Sequence, residues 1–270
     1  MGLSGIKIQE LTSEMELRQT YFEKARRVVL KLGSSVVTRE DGLNLPLIQQ
    51  LVEEIGALRR ADRQVILVSS GAVAAGLKKL EICIRPSGIP QIQAVAAAGQ
   101  SSLMQTYEEA FAAQDLKVAQ ILLTHDDLAS RTRFLNARNT LFTLLQWNVV
   151  PIINENDTVA TDELKFGDND HLAALICNLA EAYLLILLTN TDGLYAHDPR
   201  EDPEAPLLTF LETTDPRLET AAGKRPNDLG RGGMVSKLQA VKRLRPRVSP
   251  ASSPRVCALG FWGQYSPARR

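Results

Sequence analysis

Two short stretches concentrate polar side chains suited to a reaction site: Asn154-Glu155-Asn156-Asp157 and, after a gap, Gly167-Asp168-Asn169-Asp170. Carboxylates and amides at this density can hold a metal, move a proton or bind a polar substrate. The bland alternative is a solvated loop of turn formers. Two lysines elsewhere invite a partnership with them. Lys31 lies inside the apolar run Arg27–Leu32, where a charge needs a partner, and Lys237 follows Gly230-Arg231-Gly232-Gly233-Met234-Val235-Ser236. An aspartate such as Asp170 set between two lysines limits their repulsion while leaving cations for a migrating phosphoryl group. The histidines, His125, His171 and His197, are scattered without a nucleophile–base pattern. A carboxylate acceptor needs no such pattern, because a group with a pKa of about 4.3 is already ionised at pH 7.

Four segments have the small or polar residues that suit phosphate oxygens: Lys31-Leu32-Gly33-Ser34-Ser35, Ser69-Ser70-Gly71-Ala72, Thr189-Asn190-Thr191-Asp192-Gly193 and Gly230–Lys237. Glycine lets backbone N–H groups approach a phosphate closely, and a helix starting near Gly233 adds its positive end. Neither the P-loop order G-x-x-x-x-G-K-[ST] nor the dinucleotide fingerprint G-x-G-x-x-G occurs. Each segment read alone is equally a plain turn; their recurrence after apolar runs is the signal.

The elements that must position these residues follow from periodicity. Arg27–Leu32, Val65–Val68, Val118–Leu123, Val149–Ile153 and Ala182–Leu188 read as strands, and Val65–Val68 is a continuous apolar run of the kind buried on both faces of a parallel sheet. Between them, Leu45–Leu58 repeats apolar residues at helical spacing, and Pro90–Ala113 and Arg131–Trp147 also read as helices, with Gly99 marking a close approach. His171–Leu175 starts a further helix. This alternation predicts an α/β fold, helices covering a mostly parallel sheet, with ligands at the carboxyl ends of its strands. A hairpin over Val159–Phe166 and a surface loop over Ala196–Pro206 complete the expectation.

Composition sets outer limits. The 270 residues are 44% hydrophobic and 23% charged, ordinary for a globular protein, with formal net charge zero. Residues 242–270 contain seven Lys/Arg and no Asp/Glu, leaving 24 basic against 31 acidic side chains in residues 1–241, a net of −7. An acidic body argues against a nucleic-acid surface. Cys83, Cys177 and Cys257 form no CxxC pair, which points to a reduced, cytoplasmic protein without a zinc site. No apolar run approaches the ~18–20 residues of a membrane helix, and no apolar signal core stands in the first 25 residues, which read as a polar extension.

Taken together, VVLKLGSSVVT (28–38), VILVSSGAVAAG (65–76), FLNARNTL (134–141), VVPIINENDTVAT (149–161), KFGDNDHLAAL (165–175), LLTNTDGLYAHDPR (187–200) and GRGGMVSKLQA (230–240) resemble the glutamate 5-kinases of the amino-acid kinase superfamily. INEND followed by GDND sets this resemblance apart from aspartokinase-like and uridylate-kinase-like relatives. The resemblance implies a three-layer αβα sandwich and ATP-dependent phosphorylation of the γ-carboxyl of L-glutamate, the first step of proline synthesis, with Mg²⁺ arriving on the nucleotide rather than at a protein metal site. It implies that Lys31 and Lys237 contact the transferred phosphoryl group and that Asp170 organises them. It places glutamate on Ser70, Asn154, Asp157 and Asn169. ATP falls to Lys31, Thr189, Asn190 and the loop Arg231, Gly232, Gly233, Met234, Val235, Ser236 and Lys237. Asn190 stands where Asp is frequent and Arg231 where Thr is common. Proline as a feedback inhibitor and a homo-oligomer are further implications.

The resemblance divides the chain into an extension (1–25), a kinase domain (26–241) and a basic tail (242–270) rich in Pro and Ser. That tail stands where the family continues into another buried strand and, in many members, an RNA-binding-type PUA domain. It reads as atypical, without a strand, as in a frame-shifted or alternatively terminated product or a genuinely divergent ending, and a missing strand would impair activity. Two alternatives stay beside the kinase: the kinase part of a bifunctional pyrroline-5-carboxylate synthase, and a non-catalytic glutamate or proline sensor. Lys31, Asp170 and Lys237 speak against the sensor.

Overall fold

The computed structural model describes residues 19–40, 42–160, 169–199, 201–209, 211, 215–218 and 234–244, and the backbone of 256–260. Its frame is a six-stranded sheet. In chain order the strands are β1 (Arg27–Leu32), β4 (Gln64–Val68), β5 (Val118–Leu123), β6 (Val150–Glu155), β7 (Leu184–Leu188) and β10 (Val256–Gly260). They lie side by side in the order β10-β7-β1-β4-β6-β5, every neighbouring pair parallel. Two small hairpins stand apart from it, β2 (Thr38–Arg39) with β3 (Gly42–Leu43) and β8 (Leu194–Tyr195) with β9 (Leu207–Leu208).

Side-chain alternation along each strand divides the core into two layers. Val28, Leu30, Leu67, Ile152 and Ile186 pack on one face against α2 (Leu45–Arg60) and α4 (Ile89–Ala112), through residues such as Ile48, Leu51, Ile55, Leu103, Tyr107 and Phe111. Val29, Ile66, Val68, Ile153 and Leu185 pack on the other against α6 (Arg131–Gln146), α7 (Asn169–Leu179) and α8 (Met234–Lys242). The mostly parallel, helix-covered sheet expected from the alternation, and the three-layer αβα arrangement that the resemblance implies, are the ones observed.

Short helices connect several layers: α1 (Ser34–Val37), α3 (Ala72–Lys79) and α5 (His125–Ala129). Helix α3 has no counterpart in the sequence reading, which ended at the Ser69–Ala72 turn. Its placement depends on two glycines. A Cβ on Gly99 of α4 would lie 1.9 Å from Ala72 O and 2.2 Å from Gly76 N, and one on Gly76 would lie 1.9 Å from Val95 O. The two helices therefore cross with their backbones in contact, which accounts for the close approach expected at Gly99.

Two expectations need correction. Strand β6 runs on to Glu155, so Asn154 and Glu155 belong to the strand and not to the loop after it; their pairing with Leu122 and Leu123 of β5 holds them there. The tail does contain a strand. β10 aligns Val256–Gly260 with Leu184–Leu188 and covers the edge that a missing strand would have left bare. Residues 245–255 and 261–270 of the tail, most of the extension, and residues 161–166 of the expected hairpin lie outside the described residues.

Candidate active site

Alternation also decides where the polar residues of the strands go. Lys31 shares its face with Val29, so its side chain leaves the central strand β1 toward α7 and α8. There it meets Asp170, in the first turn of α7, and its Nζ forms an ion pair with Asp170 Oδ1. Lys237, in the first turn of α8, places its Nζ 2.9 Å from Asp170 Oδ2, and Ser236 Oγ donates to the same oxygen at 3.2 Å. All three charged groups are withdrawn from water, Lys31 at 2%, Asp170 at 0% and Lys237 at 4% exposure.

Burial by itself would raise the Asp170 carboxyl, but the charges of Lys31 and Lys237, and their hydrogen bonds, hold it below the usual carboxylate range. The positive end of α7 favours the same ionised state. Two ammonium groups around one carboxylate leave the cluster with one excess positive charge. A buried ion cluster is a poor route to stability, because desolvation offsets most of the attraction. What the arrangement offers chemically is a dry, preorganised setting for an anion.

On the other side of Asp170 the site becomes neutral and polar. Asn169 Nδ2 donates to Ser69 O at 2.8 Å, to Ser70 Oγ at 3.0 Å and to Asn154 Oδ1 at 2.9 Å. One amide thus ties α7 to the ends of β4 and β6. Gly71, at φ +113°, makes the turn that exposes Ser70 there, a conformation that favours glycine. Asp157, half-buried in the turn after β6, has its carboxyl pushed up to about 6 by burial.

Tyr107 and Gln100 join this arrangement without a counterpart in the sequence reading. Ser69 Oγ donates to Ser70 O at 2.9 Å and lies 2.7 Å from the fully buried Tyr107 hydroxyl, whose pKa burial raises despite that bond. Tyr107 therefore stays neutral and props the Ser69–Ser70 turn. Gln100 on α4 accepts from Asn154 Nδ2 at 2.8 Å. Glu155 is 5% exposed, and its Oε2 has no hydrogen-bond partner among the described residues. The only sequence signal for Gln100 and Tyr107 was a polar group on an otherwise apolar helix face.

The residues expected on the nucleotide side are placed more widely. Thr189 and Asn190 follow β7, at the edge where Leu188 pairs with Leu32 beside Gly33; Asn190 is exposed. Ser236 and Lys237 reach the cluster, Met234 packs with Leu194, Leu218 and Leu238, and Val235 is exposed. Arg231, Gly232 and Gly233 lie outside the described residues, as do Gly167 and Asp168. His125 and His171 meet in a tilted ring contact with centroids 5.2 Å apart, and Arg243 Nη1 approaches His171 Nε2 at 2.5 Å.

Residues 26–244 match the Amino acid kinase family, an extent that includes every element of the cluster. The chain belongs to that family. A glutamate 5-kinase of Geobacter metallireducens is 55% identical over 228 residues, covering 84% of this chain and 61% of the relative. A glutamate 5-kinase of Desulfotalea psychrophila is 50% identical over 256 residues, covering 93% and 68%. The chain thus spans between six and seven tenths of the length of these two family members. A solved UMP kinase from Bacillus anthracis shares the family fold, with a TM-score of 0.57 at 11% identity and 91% of each chain covered.

Proposed function

We propose that the chain transfers the γ-phosphoryl group of ATP to the γ-carboxylate of L-glutamate, giving L-glutamyl 5-phosphate and ADP. The observation that carries this reading is the buried Lys31–Asp170–Lys237 cluster, one residue away from the amide that joins Ser70 to Asn154. A sensor that only bound an amino acid would gain nothing from two desolvated lysines. Relatives named glutamate 5-kinase support the choice of acceptor.

In this mechanism a γ-carboxylate oxygen attacks the γ-phosphorus of ATP. One O–P bond forms, the bond between that phosphorus and the β,γ-bridging oxygen breaks, and ADP leaves with the electron pair. No proton moves, so no general base is required. Lys31 and Lys237 stabilise the charge on the transferred group, most strongly when it lies between donor and acceptor. Asp170 keeps both ammonium groups in place. Ser70, Asn154 and Asn169 hold glutamate, with Asp157 opposite its ammonium group. Thr189, Asn190 and the Arg231–Lys237 segment hold ATP.

Asp170 is engaged by two lysines, and among the described residues no group of three or more His, Cys, Asp or Glu is placed to hold a metal. Mg²⁺ is proposed as the companion of ATP. Proline, which shares the α-carboxylate and α-nitrogen of glutamate, is proposed as a feedback inhibitor, and a self-associating, cytoplasmic enzyme as the setting. No described helix is long and apolar enough to cross a membrane.

Trapping with hydroxylamine tests the reaction. Glutamate hydroxamate should accumulate only with both ATP and glutamate present. Hydroxamate formation independent of glutamate, or none at all, would overturn the proposal.

A further inference from the structure

The hydrogen bonds around Asn154 fix the orientation of one amide that the mechanism has not used. The N–H of Glu155 can only donate, and it bonds Asn154 Oδ1 at 2.9 Å. Asn169 Nδ2, itself oriented by the Ser69 carbonyl, donates to the same oxygen. Asn154 must then turn its NH₂ toward Gln100, and Gln100 must answer with Oε1, since the reverse would set two donors face to face. Gln100 Nε2 is left buried, with two N–H groups and no acceptor among the described residues. Buried donors without acceptors are rare in native proteins and ask for an explanation.

The direction of this amide chain says which acceptor fits. It begins at Asn169, next to Asp170 and its two lysines, and runs through Asn154 away from them to Gln100 on α4. A substrate whose γ-carboxylate lies at the lysines extends its other end toward α4. We infer that Gln100 binds the α-carboxylate of the substrate through Nε2 and is a specificity-determining residue. This inference rests on the glutamate reading given above.

A merely structural Gln100, serving only to orient Asn154, is separable by experiment. Gln100→Glu keeps an oxygen facing Asn154 Nδ2, so an orienting role survives, but it replaces the two donors with a negative charge. The competitor 4-aminobutyrate keeps the amine and the distal carboxylate of glutamate and lacks only the α-carboxylate. In Gln100→Glu the KM for glutamate should rise about 30-fold or more, the worth of a hydrogen bond to a charged group plus repulsion, with kcat within about threefold. The inhibition constant of 4-aminobutyrate should move by less than about threefold, since an uncharged contact is all it can lose. An unchanged glutamate KM, or equal weakening of both ligands, would overturn the inference.

Thermal melting shows whether the charged variant folds. If it does not, Gln100→Met is judged by the same ratio, and the preference for glutamate over 4-aminobutyrate should collapse at least about tenfold. A preference retained in Gln100→Met overturns the inference. Wild-type protein that forms no glutamate-dependent product removes the functional reading and this one with it, whereas normal wild-type turnover with unaltered variant preference removes this one alone.

Discussion

Replacing Lys237 with Ala separates the two roles of the buried cluster. Lys237 is 4% exposed and donates to Asp170 Oδ2 at 2.9 Å, so the substitution removes one of two counter-charges from a carboxylate with no access to water. Breaking a buried pair typically costs about 3–5 kcal/mol. Asp170 keeps Lys31 on its other oxygen and Ser236 Oγ at 3.2 Å, which places the expected loss nearer 2–3 kcal/mol, within the stability of an ordinary domain. The folded variant is therefore available for kinetics. Losing one preorganised donor to the migrating group should lower kcat by about 100- to 1000-fold, or about 3–4 kcal/mol. The KM for glutamate should change by less than about threefold, because this interaction is made mainly in the transition state. Urea unfolding measures the first quantity and steady-state ADP release the second.

The same variant has a pH signature. The lysines depress the Asp170 carboxyl, so its contribution to stability is present above the ordinary carboxylate range and is lost as pH falls through its lower folded value. Without Lys237 that loss should begin at a higher pH. A KM effect on glutamate with kcat unchanged would show that Lys237 binds substrate and does not stabilise the transferred group, refuting the assignment.

Two further outcomes are expected. Asp157 must be ionised to face an ammonium group, and burial has raised its carboxyl to about 6, so kcat/KM for glutamate should fall about tenfold per pH unit below about 6; Asp157→Asn should lower activity and abolish that limb, and a profile flat to pH 5 in the parent chain would contradict the role. Gly99→Ala would drive a Cβ to 1.9 Å from Ala72 O and force α3 from α4, at about 3 kcal/mol and a melting-temperature drop on the order of 6–12 °C; a shift under 2 °C would show that the helices separate freely.

Much of the frame was legible because its signals are local. β1, β4, β5 and β7 are mostly apolar runs, with Lys31 and Gln120 the interior exceptions, and α2, α4 and α6 carry apolar residues at helical spacing. Helix α3 was invisible because its eight residues are mostly small and include Gly76, and its position is set by a backbone contact with α4 that no local pattern encodes. β10 was obscured by the prolines and arginines around a five-residue run.

The site divides in the same way. Lys31 was conspicuous as a charge inside a strand, and Asp170 as its counter-charge, because a buried ion announces its need for a partner. Gln100 and Tyr107 were not conspicuous. Their partners, Asn154 and Ser69, lie 54 and 38 positions away, and their hydroxyl and amide groups carry no charge that must be balanced. The end of strand β6 is hidden for a related reason: Asn154 and Glu155 have loop-like side chains, yet their backbone is held by β5.

Phosphorus NMR of the chain with ATP and L-glutamate, without a trapping agent, tests the central claim most directly. An acyl-phosphate resonance should grow with ADP, depend on glutamate, and be lost at equal protein concentration in Lys237→Ala. ADP formed without an acyl phosphate, or an undiminished resonance in Lys237→Ala, would contradict it.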